Sequence, residues 1–211
     1  MDEATEFARI IACKKCSLAT SAKLLRDEAE NIPQPGYVGR NYLRVRVLLI
    51  GQNPGVDIVG LKAADMDYTA ALRALRDQPT AANMTKLRSV LDDFIPQWPV
   101  HGSYFPLKEC GLNLSDIAYF NVVRCRTTKN AQPGKYLVGN CSDHLGHWLA
   151  ELDPKVVIFI GKWAHDNAAH LVSARGVPHG YMNRDRSLST YERKRNRDEV
   201  VSLVRSAFTS G

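Results

Sequence analysis

Four cysteines and one amide-bearing loop are the parts of this chain whose types and spacing could do chemistry. Cys13 and Cys16 form a Cys-x-x-Cys pair, and Cys125 and Cys141 stand far downstream. Two separated pairs of thiolates can supply a tetrahedral set of sulfurs. Structural zinc and a four-iron cluster both accept such a set, and spacing does not separate the two. The fifth cysteine, Cys110, reads as a small buried hydrophobe. The loop is Gly51-Gln52-Asn53-Pro54-Gly55. Its glycines let main chain approach a ligand, Pro54 stiffens it, and Gln52 and Asn53 offer amides beneath a small planar or anionic group. His101, His144, His147, His165 and His170 have no comparable context and read as surface or core groups.

These residues need elements to position them. Residues 45–50 are β-branched and aliphatic with almost no polar face, the pattern of a strand buried on both sides, and the loop follows directly. Residues 117–123 and 155–160 read as further buried strands, and 176–181 as a short strand end and loop. Helical spacing runs through 2–11, 68–76, 82–94, 141–152, 163–173 and 190–208, with another short helix at 21–30. Residues 31–39 are turn-rich, and Pro96, Pro99 and Gly102 break the pattern between elements. Strands alternating with helices imply an α/β fold, a three-layer α/β/α arrangement around a central, mainly parallel four-stranded sheet. Ligands of such sheets bind beyond the strand carboxyl ends, so the ends near Gly51, Val123 and Gly176 are expected to converge on one rim. No repeat or low-complexity linker interrupts the chain, which reads as a single domain over residues 1–211.

A net charge of +6 is compatible with a polyanionic partner, and its distribution is more informative than the total. Between Arg184 and Arg205 lie Arg186, Arg193, Lys194, Arg195 and Arg197, against Asp185, Glu192, Asp198 and Glu199. A solvated face of the last helix is the plain alternative. No apolar run is long enough for a membrane span, and the first residues are acidic and polar rather than a basic-then-apolar leader. The expectation is a cytoplasmic monomer whose cysteines are reduced.

The order of these motifs resembles the iron–sulfur uracil-DNA glycosylases: Cys13-x-x-Cys16, the strand ending in Gly51-Gln52-Asn53-Pro54-Gly55, then Asn121-Val122-Val123-Arg124-Cys125-Arg126, Asn140-Cys141, and the run from Pro154 to Gly161. The resemblance covers the chain from Cys13 to about His179. It implies a 4Fe-4S cluster on Cys13, Cys16, Cys125 and Cys141, with structural zinc as the alternative. It also implies DNA as partner and free uracil as product. Gly51 to Gly55 would be the first glycosylase motif, Asn121 the uracil-reading asparagine, and His179 the start of a loop that enters the duplex. Two departures point to a divergent branch. Asn53 stands where many members carry Asp or Ala, and His179-Gly180-Tyr181 replaces the usual His-Pro-Ser. Gly55 lacks the aromatic side chain that blocks thymine's methyl in the tightly uracil-specific members.

On that resemblance each residue has an expected task. Uracil excision breaks the C1′–N1 bond, leaving positive charge on the sugar and negative charge on the base, so the enzyme must extrude the nucleotide, read its edge and stabilise the anion. Asn121 can accept from N3–H and donate to O4. His179 would donate to O2, Asn53 would orient the attacking water, and Gln52 and the Gly51 backbone would bind the base. Tyr68 is the expected stacking partner, with Phe105 or Phe120 behind it. Arg184 and Arg186 are expected to contact DNA. A non-cutting binder of uracil or abasic DNA, and a member that links covalently to DNA through a histidine, are the alternatives.

Overall fold

The structure is a computed structural model and describes residues 3–16, 24, 32–55, 63–94, 105–185 and 187–209. The helix expected at 21–30, the breaks at Pro96, Pro99 and Gly102, and Arg186 lie outside the described residues. The chain falls into two compact units. One comprises Met1–Pro35, Asn53–Gln97 and Val123–Cys141, the other Gly36–Gln52, Trp98–Val122 and Ser142–Gly211.

The first unit is helical. Helix α1 (Glu3–Ile11) buries Phe7, Ile10 and Ile11, the stripe its periodicity predicts. The second unit opens on a short antiparallel strand, β1 (Tyr37–Val38), and a single-turn helix, α2 (Tyr42–Val45). The first unit also contains α3 (Ala63–Asp77) and α4 (Ala81–Phe94). Tyr68, Ala71, Leu72 and Leu75 form the buried stripe of α3, and Met84, Leu87 and Leu91 that of α4. Asn83 closes the turn between these helices by donating to the carbonyls of Ala74 and Gln78 at 3.1 and 2.9 Å.

The second unit holds the sheet. Its strands are β1, β2 (Val47–Gly51), β3 (Ile117–Asn121), β4 (Val156–Ile160) and β5 (His179–Met182), in the spatial order β1-β3-β2-β4-β5. All neighbours are parallel except β1, which runs antiparallel to β3. Among the described residues the sheet therefore has five strands where four were expected. The extra strand is two residues inside the turn-rich stretch, too short to carry an alternating pattern.

Helices α5 (Lys135–Leu152), α6 (Lys162–Ser173) and α7 (Thr190–Thr209) complete the chain. Alternation along the strands sends side chains to opposite faces. Val47, Leu49, Ile117, Val156, Ile158, Ile160 and Met182 form one buried face with Val200 and Val204 of α7. On the other face Phe120 packs on Trp148 of α5, centroids 5.2 Å apart, and Phe159 meets His165 of α6 edge-on at 5.5 Å. Every residue of β2 and β4 is buried, as a parallel strand covered on both sides requires. Cys110 is buried in the core, as expected of a small hydrophobe. Among the described residues no helix is long and apolar enough to cross a membrane.

Candidate functional site

The parallel register brings Gly51 and Asn121 side by side at the carboxyl ends of β2 and β3. Asn121 is only 5% exposed, and its Oδ1 accepts a hydrogen bond from the Tyr119 hydroxyl at 3.3 Å. Residues 119 and 121 alternate with 120 and so share a face, with the tyrosine ring reaching over the glycine. A Cβ at Gly51 would run into the Tyr119 hydroxyl and lie 2.6 Å from Asn121 Oδ1. The glycine is needed here to make room for these two side chains, beyond any approach of a ligand to its backbone. Gly51→Ala is expected to cost about 1–3 kcal/mol of stability by overpacking and to displace the Asn121 amide, read as a lower melting temperature together with weaker discrimination between pyrimidines.

The rim continues along the row to β4 and β5, where Ile160 pairs with Met182. The Gly161 amide donates to the Met182 carbonyl at 2.9 Å, and the exposed Arg184 side chain passes 3.6 Å from where a Gly161 Cβ would stand. Gly161 has φ +101, a conformation that L side chains rarely adopt, which serves the strand-to-helix turn and leaves space for Arg184. Burial pushes the Tyr119 hydroxyl up to about 12, and the Arg184 charge pulls the other way. Arg184, Tyr119 and Asn121 therefore form one electrostatic neighbourhood at the rim. Next to it, the Asn183 backbone N–H donates to Asn196 Oδ1 at 2.7 Å, and Asn196 donates from Nδ2 to the Tyr181 carbonyl at 2.9 Å, tying the end of β5 to α7. Gln52, half-buried, follows Gly51 directly.

His179 does not join this group. It begins β5 rather than a loop, in register with Val157, whereas the end of the strand is Met182. Three residues at about 3.3 Å each separate its row from the rim. Its ring also lies on the other face, 6.2 Å from Phe159 and 5.8 Å from His165, and it donates from Nδ1 to the Val177 carbonyl at 3.0 Å. The expectation that the strand end near Gly176 reaches the rim is corrected accordingly: Gly176 precedes β5, and Asn183 and Arg184 follow its carboxyl end. Tyr68 is corrected as well. It is 0% exposed in the core stripe of α3, where burial raises its hydroxyl well above the ordinary value, and a stacking platform must present a face to its ligand. Phe105 and Phe120 are also fully buried.

Asn53 belongs to the first unit. Its Nδ2 donates to Thr127 Oγ1 at 3.1 Å and to the Pro54 carbonyl at 3.0 Å, and the fully buried Thr127 passes the chain on to the Ala131 carbonyl at 2.6 Å. The amide nitrogen is thus spent on the protein, which fixes the direction of the carbonyl oxygen. Thr127 has no signature in the sequence, because a threonine after a strand is ordinarily a turn residue.

The first unit also gathers all four motif cysteines, none in a disulfide, with Cys125 and Cys141 buried and Cys13 and Cys16 half-buried. A hydrogen bond from the Cys141 thiol pulls Cys16 down to about 6, against burial and with help from Asn140 and Lys15. Cys141 is raised by the same bond and by burial. Cys125 is pushed up to about 12, first by burial and then by the charges of Cys16 and Cys13. Each thiol therefore acts on another. The same unit buries two cations, of which Arg124 acts on Cys141. Arg124 donates from Nη1 to the Pro35 carbonyl at 3.1 Å, and Arg126 pairs with Asp65 at 2.6 Å. Burial lowers the Arg124 guanidinium to about 10 and Cys141 counters it, so Arg124 gains from a nearby anion. Among the described residues no group of three or more His, Cys, Asp or Glu is arranged to hold a single metal ion.

The family model of the uracil DNA glycosylase superfamily matches residues 39–205. No individual curated protein matches the chain. The matched stretch takes in the four parallel strands β2 to β5, the Gly51 loop, Asn121 and the Asn183–Arg184 rim, and it is most of the 211 residues; the chain belongs to the uracil DNA glycosylase superfamily.

Proposed function

We propose that the protein is a monofunctional uracil-DNA glycosylase, which flips uracil out of DNA and hydrolyses its N-glycosidic bond to leave an abasic site. The observation that supports this best is the Gly51–Asn121–Tyr119 arrangement, a nearly buried carboxamide with a defined oxygen end at paired strand ends. A carboxamide held this way complements the N3–H donor and O4 acceptor of uracil. As the C1′–N1 bond breaks, its electron pair passes to the base, and water adds to C1′ and loses a proton to solvent. Fixed donors near the base lower the energy of that charge separation. In this reading Asn121 and Gln52 hold the base. Arg184 supplies positive charge at the rim, where His179 was expected to act. The test is incubation of the purified protein, without added cofactor, with oligonucleotides carrying uracil, hypoxanthine or thymine in single and double strands. Free uracil and alkali-labile sites are expected. Tight binding with no base released would overturn the hydrolase reading.

A 4Fe-4S cluster held by Cys13, Cys16, Cys125 and Cys141 is part of this proposal. The fit rests on four thiols of one unit that act on one another, with the buried Arg124 acting on Cys141. When bound, such a cluster would cross-link the chain segments that carry its ligands.

DNA as partner is supported by the charge on α7. Arg193 and Lys194 are exposed in or just beyond its first turn, the positive end of the helix dipole, where cations are unfavourable by about 0.3–1 kcal/mol each. A polyanion there removes that cost. Replacing both by alanine is expected to weaken binding equally for all sequences. It should also lower the slope of log affinity against log salt by about 1–2, since each neutralised phosphate contributes roughly 0.9. Binding titrations between low and moderate salt measure it.

A further inference from the structure

We propose that Tyr119 is the positioning residue that makes the Asn121 amide selective for uracil over cytosine. The proposal rests on the uracil-reading role given to Asn121 above. A carboxamide is nearly symmetric in shape, and a half-turn about its last bond exchanges acceptor for donor. Uracil offers N3–H and O4, whereas cytosine offers a bare N3 and an amino group. An unrestrained asparagine could satisfy either edge, so selectivity needs a neighbour that decides which end is oxygen.

Tyr119 meets that requirement. Its hydroxyl lies 3.3 Å from Asn121 Oδ1 and donates to it. A hydroxyl can also accept, so the lock holds only if its proton is directed toward Asn121. Arg184 favours that direction. It runs beside Gly161 at the same rim, its guanidinium is a donor with no acceptor, and a positive charge on that side favours lone pairs facing the cation and the proton facing the amide. Gly161 leaves the space through which Arg184 passes, and Gly51 leaves the space in which the hydroxyl meets the amide. With one lone pair of Oδ1 taken by the tyrosine, the second remains for N3–H and the nitrogen for O4. Cytosine in the same place would set acceptor against acceptor and donor against donor.

The experiment compares wild type and Tyr119→Phe by their affinity for oligonucleotides bearing uracil or cytosine on a 2′-fluoro sugar that resists hydrolysis, together with kcat and KM for uracil excision. A hydrogen bond of this kind is worth roughly 3- to 10-fold, so the uracil-to-cytosine affinity ratio is expected to fall by that factor and kcat/KM for uracil by a similar one. The melting temperature should fall by no more than a few degrees, and the affinity for abasic-site DNA should stay within experimental error, whereas a merely structural role would lower binding to every DNA alike. An unchanged ratio in Tyr119→Phe overturns the proposal, as does a wild type that binds both bases equally. A wild type that prefers uracil yet releases no base overturns the hydrolase reading and leaves the orientation lock supported.

Discussion

Replacing Asn121 by alanine is expected to lower kcat/KM for uracil excision by about 100- to 1,000-fold, the loss seen when a fixed donor to a developing anion is removed. The side chain is nearly buried, sits at the paired ends of β2 and β3, and has its oxygen engaged by Tyr119. Truncation would remove the groups that read the base and leave the Tyr119 hydroxyl facing a gap. Because Asn121 is the last residue of its strand, the backbone ladder through Gly51 should survive, and the melting temperature should fall by only a few degrees. Single-turnover kinetics on a uracil oligonucleotide, paired with a thermal melt, measure both. A rate within threefold of wild type would mean that the base is read elsewhere.

The second large effect is expected at Cys125. Cys125→Ser should abolish the broad brown absorbance of an iron–sulfur protein and lower stability by more than about 4 kcal/mol, the scale reached when a structural metal site is lost. Cys125 is buried and feels the charges of Cys16 and Cys13, while the guanidinium of Arg124 next to it is buried as well. If the cluster is bound, losing Cys125 would remove one of its four ligands and with it the binding free energy that the metal lends the fold. Iron and sulfide analysis of the purified wild type, followed by denaturant unfolding of both proteins, provides the check. Wild type containing neither iron nor sulfide would end the cluster proposal, and stoichiometric zinc would replace it with the structural-zinc alternative.

What the sequence determined by itself is the set of elements and the identity of the loop at β2. Residues 47–51 and 156–160 are so uniformly apolar that only strands buried on both faces suit them, and the stripes of α1, α3 and α4 declare their buried sides. Such signals are local, and they survive without any knowledge of what packs on them. The cysteine pairs were legible for the same reason, because thiol spacing is a property of the chain.

Tertiary structure alone decided which side chains meet. Pairing register and the two-residue alternation place Asn121 with Tyr119 and Gly51 on one face at the rim, and carry His179 to the opposite face three residues below it. Tyr119, in an apolar strand, looks like any core aromatic until the missing side chain at Gly51 is seen to admit its hydroxyl. Tyr68 looked available for stacking until α3 turned it inward. A strand's apolar content follows from its own residues, whereas its partners follow from free energy summed over the whole sheet, and so the contacts that make the site could not be read one segment at a time.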